Sequence, residues 1–347
     1  MMSVWSSLVG QEAAVAKLSE AAASARAIVA SRGGAHASDD ARSMSHAWLI
    51  TGPPGSGRSV AARAFAAALQ CTGETVGCGQ CAGCRTTMGR TNADVVFAAT
   101  ETSIINVETA RSLVLQAQSS PSQGLWRVIV VEDADRLGES GANALLKAIE
   151  EPPEHTVWLL CAPSPEDMIA TIRSRCRHLG LRIPTAAAVA DLLVREGVAT
   201  PEVALEAARA AQSHIGLARA LARDPQMRER RRAIITAPAS VRSVGEAVMA
   251  ADRLLETAKA QADAQVSERN AREKAELLRQ LGMDEGESAT KASRTMIRQL
   301  EEDQKRRSKR ALTDAIDRAL IDLLAIYRDV LMVQVGGDGE LINTDLS

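Results

Sequence analysis

Residues 52–59, with the sequence GPPGSGRS, match the phosphate-binding loop G-x-x-x-x-G-K-[ST] at every defined position except one, where Arg58 replaces lysine. Gly52, Gly55 and Gly57 can still bring backbone N–H groups to a phosphate, and Ser59 can still hold Mg²⁺. Guanidinium is larger than ammonium and planar, so we expect nucleotide binding to survive this exchange better than hydrolysis. The alternative is a Gly-rich turn that binds nothing.

Two adjacent carboxylates, Glu132 and Asp133, follow an apolar run. At the end of a buried strand next to a phosphate-binding loop, one carboxylate holds Mg²⁺ and the next activates water. The usual order is Asp then Glu. Here the first side chain is therefore one methylene too long for the metal, and the second is one methylene too short for the water. Two solvated carboxylates at a strand end are the alternative.

Four cysteines lie within 14 residues at the spacing C-x6-C-x2-C-x2-C: Cys71, Cys78, Cys81 and Cys84. Four thiolates without a fifth ligand favour a closed, tetrahedral, structural Zn²⁺ site. Free thiols, a redox pair or an iron–sulfur cluster are the competing interpretations. The other two cysteines, Cys161 and Cys176, stand apart, which argues against a disulfide framework.

Arg175 lies in the tripeptide Ser-Arg-Cys, just past the strands that we predict for the sheet. Arginine is suited to stabilising charge on a transferring phosphoryl group, and a neighbouring subunit often supplies it. The tripeptide alone does not distinguish such a residue from an ordinary surface arginine.

The elements that would position these residues alternate between strand and helix. We predict strands at residues 47–52, 126–131 and 156–163, and helices at residues 12–31 and 59–70. This alternation indicates a parallel sheet covered by helices on both faces, over about residues 1–180, with ligands at the carboxyl ends of the strands. The Gly, Ser and Asp content of residues 31–45 predicts a loop.

After Pro184 the sequence is helical in pattern, with breaks near residues 197–201, Pro225, Pro238 and residues 282–288. Near the end, apolar residues at helical spacing predict a long amphipathic helix with one buried face: Leu312, Ile316, Leu320, Leu323, Leu324, Tyr327 and Leu331. The basic run KRRSKR at residues 305–310 could contact phosphates, but a solvated face that pairs with the preceding acidic residues is favoured.

Composition narrows the class of protein. The 347 residues include 41 Lys and Arg against 43 Asp and Glu, a net charge of −2, so no overall positive field attracts nucleic acid or a membrane. Aromatic residues make up only 2%, which disfavours base stacking on an aromatic platform. With no apolar run of 18 residues and no secretory leader pattern, we expect a cytosolic protein of two or three domains.

Taken together, these segments resemble the AAA+ clamp-loader subunits of bacterial DNA polymerase III. The resemblance rests on VWSSLVGQEAAVAKL, SHAWLITGPPGSGRS, the four-cysteine segment, VIVVEDADRLGESGANALLKAIEEPPEHTVWLLCA, TIRSRC and HIGLARAL, in that order. It covers about residues 4–222. Beyond residue 240 the chain is similar only in being helical and of suitable length.

Within that family the chain looks like the delta-prime type rather than the ATP-hydrolysing tau or gamma type. Motor subunits keep the loop lysine and an Asp-Glu pair, whereas this chain has Arg58 and the pair Glu132, Asp133. They also keep a polar residue where Pro163 and Ser164 stand. Delta-prime subunits are typically degenerate or inactive in ATP hydrolysis and retain the arginine of the Ser-Arg-Cys tripeptide.

The resemblance assigns roles residue by residue. Arg175 matches the arginine finger that reaches the ATP of the adjacent motor subunit, and Arg219 matches an arginine of the helical lid that contacts nucleotide. Val9, Gly10 and Gln11 lie where the family contacts adenine. The four clustered cysteines match the family's zinc module.

The implied architecture has an α/β AAA+ domain at residues 1–180 with an inserted four-cysteine module (residues 71–84), a helical lid at 181–240, a helical collar at 241–333 and a tail at 334–347. The implied partners are tau/gamma and delta subunits in a heteropentamer, the beta sliding clamp and primed DNA, in the cytoplasm at the replisome. Zn²⁺ is the implied structural cofactor, with ATP or ADP and Mg²⁺ at the loop. The implied role is to assist ATP-dependent clamp loading as part of the polymerase III holoenzyme, with little or no ATPase activity of its own.

Two other functions stay open at this point. One is an active clamp-loader ATPase in which Arg58 does the work of the lysine. The other is a silent assembly module that contributes nothing to hydrolysis, even in a neighbour. The four cysteines and the Ser-Arg-Cys tripeptide disfavour a third class, a helicase-loader type of AAA+ protein.

Overall fold

The computed structural model describes residues 3–31, 43–98, 104–281 and 291–344. These residues form two compact units, of which the first ends at Arg223 and the second begins at Asp224. Most of the loop that we predict at residues 31–45, and the break predicted at residues 282–288, lie outside the described residues. In the described ranges no helix is both long and apolar enough to cross a membrane.

The first unit is built on a parallel five-stranded sheet with the strand order β2-β3-β4-β1-β5. Its strands are β1 (Ala47–Thr51), β2 (Val95–Ala98), β3 (Arg127–Val131), β4 (Thr156–Ala162) and β5 (Arg177–Gly180). Strand β4 separates β1 from β3, pairing Ile50 with Cys161 and Val130 with Leu159. Because all strands run the same way, their carboxyl ends meet at one edge, where the loop after β1 and the carboxylates after β3 both lie.

Helices cover both faces of this sheet. They are α1 (Glu12–Ala30), α2 (Arg58–Leu69), α3 (Ala82–Met88), α4 (Val107–Ala117), α5 (Glu139–Glu150) and α6 (Ala170–Arg173). Strand side chains alternate between the two faces, so Trp48 packs with α1 and α2 while Leu49 packs with α4 and α5. Trp48 meets Phe65 of α2 edge-on, with 5.2 Å between the ring centroids. The fold class expected from the sequence is therefore confirmed.

Strand β5 corrects one expectation about Arg175. We placed this residue beyond the last strands, but β5 follows it and pairs with β1. Arg175 thus lies in the connection between α6 and β5, inside the α/β domain. Strand β5 could not be predicted from hydropathy, because three of its four residues are exposed.

Three short helices complete the first unit: α7 (Ala186–Arg195), α8 (Pro201–Ala210) and α9 (Ile215–Arg223). Thr185 caps α7 by accepting a hydrogen bond from the Ala188 N–H at 3.2 Å, and Pro201 begins α8, where its missing N–H costs nothing. Helix α10 (Pro225–Ser240), although within the range expected for the lid, belongs to the second unit.

The second unit consists of α10 and two long helices, α11 (Val244–Gln280) and α12 (Lys291–Gln334). Helices α11 and α12 pack through small side chains, with Ala258, Ala262 and Val266 against Ala311 and Ala315. Chain residues after α12 are tied back to it, because the Asp329 carboxylate accepts hydrogen bonds from the Ile342 and Asn343 backbone N–H groups at 3.0 and 2.8 Å.

The apolar residues predicted to form one face of α12 differ in burial within this chain. Leu312 and Ile316 pack against the contact between α11 and α12. Leu324 is 68% exposed, and Tyr327 and Leu331 are each 59% exposed. The sequence pattern located the helix, and the exposed part of its apolar face is left uncovered by the rest of the second unit.

Candidate nucleotide-binding edge and four-cysteine module

The loop of residues 52–59 joins β1 to α2 at the carboxyl edge of the sheet. Gly55 and Gly57 both have φ of 90°, a left-handed conformation that residues with a side chain rarely adopt. The Gly52 N–H donates to the Pro163 carbonyl at 3.1 Å, which ties the loop to the end of β4. Gly57 caps α2, so the unpaired N–H groups of its first turn line the loop as an anion site requires.

Gln11 fastens the N-terminal segment to this loop. Its side chain is buried and donates from Nε2 to the Ser56 carbonyl at 3.3 Å and to the Arg182 carbonyl at 2.5 Å. The Arg182 N–H in turn donates to Gln11 Oε1 at 3.2 Å. The three residues expected to contact adenine therefore stand on a segment anchored beside the loop: Val9, Gly10 and Gln11.

The Arg58 side chain folds back across its own loop. Its Nη1 donates to the Gly52 carbonyl oxygen at 2.6 Å, so the guanidinium closes the loop that begins at Gly52. Ser59 occupies the first turn of α2, where its hydroxyl was expected to hold Mg²⁺. The backbone of the loop fits a phosphate, while the Arg58 cation is engaged with the loop itself.

Glu132 and Asp133 follow β3, as the sequence predicts, but Glu132 is already paired. Arg90 Nη2 lies 2.5 Å from Glu132 Oε1, and the Glu132 side chain is only 14% exposed. Arg63 of α2 lies near the same pair: burial, and then the charge of Arg90, lower the pKa of Arg63, whereas Glu132 raises it. Neither arginine was singled out from the sequence, because neither belongs to a motif.

A divalent cation does not fit at Glu132 as the chain is arranged. The carboxylate that would bind it already holds a guanidinium, and a second one lies nearby. Asp135, two residues beyond Asp133, has its pKa raised by burial and by the Asp133 charge, which shows that this edge is partly desolvated. We therefore route no chemistry through Mg²⁺ at Glu132.

Arg175 is held at the surface by three hydrogen bonds. Its Nε donates to a Glu150 carboxylate oxygen at the end of α5, and its Nη1 donates to the Thr171 carbonyl at 2.7 Å and to Ser174 Oγ at 3.3 Å. Its side chain remains 38% exposed. An arginine so placed is oriented by its own chain yet open to a neighbouring molecule.

Arg219 of α9 makes a bidentate ion pair with Glu196 at the end of α7. Its Nε and Nη2 each lie 2.9 Å from a Glu196 oxygen. The start of α9 lies against the phosphate-type loop, since a methyl group added at Gly55 would be 2.8 Å from the His214 Cα. The structure thus brings His214 to the loop, whereas the described hydrogen bonds of Arg219 stay within the lid helices.

The sulfur atoms of Cys71, Cys78, Cys81 and Cys84 all lie within 4.8 Å of one another. In a tetrahedral site with Zn–S bonds of about 2.3 Å, neighbouring sulfurs are about 3.8 Å apart, and the Cys71 and Cys81 sulfurs are 3.9 Å apart. Backbone N–H groups point at these sulfurs, including the Cys84 N–H at 3.4 Å from the Cys81 Sγ. The donor set and its spacing fit zinc.

The thiols of this cluster differ in acidity. Burial opposes ionisation of Cys81, but hydrogen bonds from the Cys84 and Thr72 backbones outweigh it and lower its pKa to about 6. Similar backbone hydrogen bonds lower the pKa of Cys71, whereas burial and the neighbouring sulfurs raise that of Cys84. Thiolates this close together repel one another unless a cation lies between them. Zn²⁺ is such a cation, because it binds cysteine as the thiolate.

Fold and site together define an α/β domain with a phosphate-type loop on a parallel sheet, a four-cysteine module and further helices after the sheet. Residues 36–185 match the family model described as "DNA polymerase III, delta subunit". Over this region the chain is similar to that family and to the DNA polymerase III subunits described next.

The chain is 34% identical over 165 residues to the DNA polymerase III subunit delta' of Pseudomonas aeruginosa, which covers 46% of this chain and 50% of that protein. It is 35% identical over 159 residues to the subunit gamma/tau of Mycobacterium tuberculosis, which covers 45% of this chain and 28% of that protein. The chain thus spans half or less of these relatives. A gamma-subunit-related protein of Thermotoga maritima is 18% identical, with a TM-score of 0.37, covering 78% of this chain and 94% of that structure.

Proposed function

We propose that this chain is the delta-prime-type subunit of a DNA polymerase III clamp loader. In this proposal it assembles with tau/gamma and delta subunits into a heteropentamer that loads the beta sliding clamp onto primed DNA at the replisome. It offers Arg175 to the ATP of an adjacent motor subunit and does not hydrolyse ATP efficiently itself. Zn²⁺ in the four-cysteine module is structural, and the domains are those expected from the sequence, except that α10 joins the second unit.

The observation that carries the proposal is the contrast between two sets of arginines. Arg58 and Arg90 are bound to the Gly52 carbonyl and to the Glu132 carboxylate, at the positions where a motor subunit needs a free cation and a free carboxylate. Arg175 pairs instead with Glu150, whose side chain is 41% exposed, whereas the Glu132 side chain is 14% exposed. A chain with its own site engaged and an oriented arginine at its surface suits hydrolysis in a neighbour.

The second unit supports a role in assembly. Exposed apolar side chains occupy both long helices, at residues that α11 and α12 leave uncovered within the chain: Val244, Val248, Leu255, Leu324, Tyr327 and Leu331. An apolar surface of this kind is typical of subunit contacts. We propose that it packs against the corresponding helices of neighbouring subunits.

The finger role is tested in a reconstituted complex of this chain with tau/gamma and delta subunits, clamp and primed DNA. Arg175→Ala should leave the complex assembled and slow its ATP turnover by about 10³-fold, the range of arginine fingers supplied in trans. Arg173→Ala is the matched control, because Arg173 lies two residues away and donates to the Pro165 carbonyl, at 3.2 Å, rather than to Glu150. Unchanged turnover in the assembled Arg175→Ala complex would leave the chain as a silent assembly module.

The rival function, an active motor, is tested on the chain alone. With clamp and primed DNA present, we expect its ATPase rate to equal background. Turnover that Ser59→Ala abolishes would show instead that Arg58 serves as the loop lysine and that the chain is a motor.

A further inference from the structure

The four-cysteine module is followed by a residue with an uncommon backbone conformation. Arg90 follows α3, the helix that begins directly after Cys81 and contains Cys84, and it has φ of 59°. Its N–H donates to the Thr87 carbonyl at 3.0 Å, and the next N–H, of Thr91, donates to the Thr86 carbonyl at 2.8 Å. Glycine usually fills this position after a helix, so an arginine here is held at a cost in free energy.

The Arg90 side chain is directed by two contacts. Its guanidinium carbon lies 4.9 Å from the centroid of the Phe97 ring on β2, and its Nη2 reaches Glu132 across the end of β3. The ring supports the cation from one side while the carboxylate binds it at the end. The helix that Cys81 caps and that contains Cys84 therefore leads directly to the cation that binds the carboxylate after β3.

This arrangement decides which cation Glu132 can bind. The Glu132 carboxylate is only 14% exposed and already has a full charge partner at 2.5 Å, which a metal ion would have to displace. A divalent ion entering there would also meet Arg63, which is half-buried and has an Nε without a hydrogen-bond partner among the described residues. The repulsion from two guanidinium groups works against any metal at this position.

We propose that Arg90, placed by the helix that contains Cys84, is a built-in counter-ion to Glu132, so that this edge of the sheet is closed to divalent metal ions. The inference rests on the proposed function and deepens it, since it gives Arg90 a part in silencing the chain's own site. It does not depend on Arg175, because its test uses the purified full chain without other subunits.

The test measures binding of Mn²⁺ to the zinc-loaded chain by the loss of the free-ion signal in electron paramagnetic resonance. Arg90→Ala should bind one Mn²⁺ more per chain than the unaltered protein, with at least a tenfold gain in affinity at that site. Arg85→Ala is the matched control, because it removes an exposed arginine from the same helix and should bind Mn²⁺ as the unaltered chain does. The double variant Arg90→Ala, Glu132→Gln should lose the added ion.

Two results would overturn the inference: equal Mn²⁺ binding by the unaltered chain and Arg90→Ala, or an added ion that persists when Glu132 is also replaced. If Arg90→Ala is poorly folded, Arg90→Gly serves instead, since it removes the side chain and suits a φ of 59°. Failure of the finger role would show in the assembled complex with Arg175→Ala, while Mn²⁺ binding by these variants would be unaffected. The two proposals therefore fail separately.

Discussion

Arg58 Nη1 donates to the carbonyl oxygen of Gly52 at 2.6 Å, so the last residue before the Ser of the phosphate-type loop bonds to its first residue. The bond has two consequences. It stabilises the loop without a ligand, and it places a planar cation where a smaller ammonium would leave room for a phosphate.

Arg58→Lys should therefore raise the affinity for ATP by about tenfold, equal to about 1.4 kcal/mol, because lysine fits beside a phosphate as a point charge. Turnover should stay at background, since Glu132 remains paired with Arg90. Binding of a fluorescent ATP analogue measures the first effect and phosphate release the second. Arg85→Lys, the same exchange at an exposed position, is the control; equal affinity in both variants would contradict the expectation.

Gly55→Ala should lower the free energy of unfolding of the first unit by about 2–4 kcal/mol, the sum of backbone strain and a steric clash. The strain comes from a φ of 90°, and the clash from a Cβ that would lie 2.8 Å from the His214 Cα. Gly197→Ala is the control that has strain without a clash, because the φ of Gly197 is 67° and nothing lies within 4 Å of an added methyl group. This variant should lower the free energy of unfolding by about 1 kcal/mol. If both variants lose the same free energy of unfolding in urea, His214 moves aside from the added methyl group at little cost.

Asp94 is a buried carboxylate that should make the first unit sensitive to acid. It accepts hydrogen bonds from the backbone N–H groups of Ser122, Gln123 and Gly124 at 2.6–2.8 Å, and these outweigh its burial and lower its pKa. A lowered pKa in the folded state means a stabilisation that is complete above the ordinary aspartate pKa and is lost as the pH falls through the folded value.

Urea unfolding from pH 7 downward should show that loss beginning near pH 4. Asp94→Asn should cost about 2–4 kcal/mol at pH 7, because an amide cannot satisfy all the donors, and should weaken the acid dependence. Asp191→Asn, which alters an exposed aspartate of α7, should change neither. Parallel pH profiles for Asp94→Asn and the unaltered chain would rule out Asp94 as the cause.

The sequence predicts much of the candidate site because its motifs are local. The strand predicted from residue 47 is found at Ala47–Thr51 and leads into the Gly-rich loop, and Glu132 directly follows β3. The four cysteines converge as their spacing suggests. In each case the residues of the motif lie within one short stretch of chain, so their spacing in the sequence is enough to predict that they lie close together.

The partners of these residues could not be predicted. Arg90 and Glu132 are separated by 42 positions, and Glu150 and Arg175 by 25. Such pairs depend on the order of strands and on where each loop returns, which no local pattern encodes. Likewise, α12 has apolar residues on more than one side, and only its packing against α11 shows that Ala311 and Ala315 lie on the inner side.

The four-cysteine module should hold one zinc ion per chain, and its loss should destabilise the first unit. Cys81→Ser should reduce the zinc content, measured by metal analysis after gel filtration, to well below one equivalent. It should also lower the free energy of unfolding by about 4 kcal/mol or more, since loss of a structural metal is among the largest single effects. The module is closely packed against its surroundings, because the Arg26 guanidinium donates to the Cys71 carbonyl at 2.9 Å and the Gly83 backbone leaves no room for a side chain beside the Gln70 carbonyl.

Cys176→Ser is the matched control for that experiment, because Cys176 lies outside the cluster and burial raises the pKa of its thiol to about 12, which disfavours metal binding. This variant should retain a full equivalent of zinc. Full zinc content in Cys81→Ser would contradict the four-sulfur site. Equal loss in both variants would mean that the zinc is held elsewhere or nonspecifically, because the two thiols do not share a cluster.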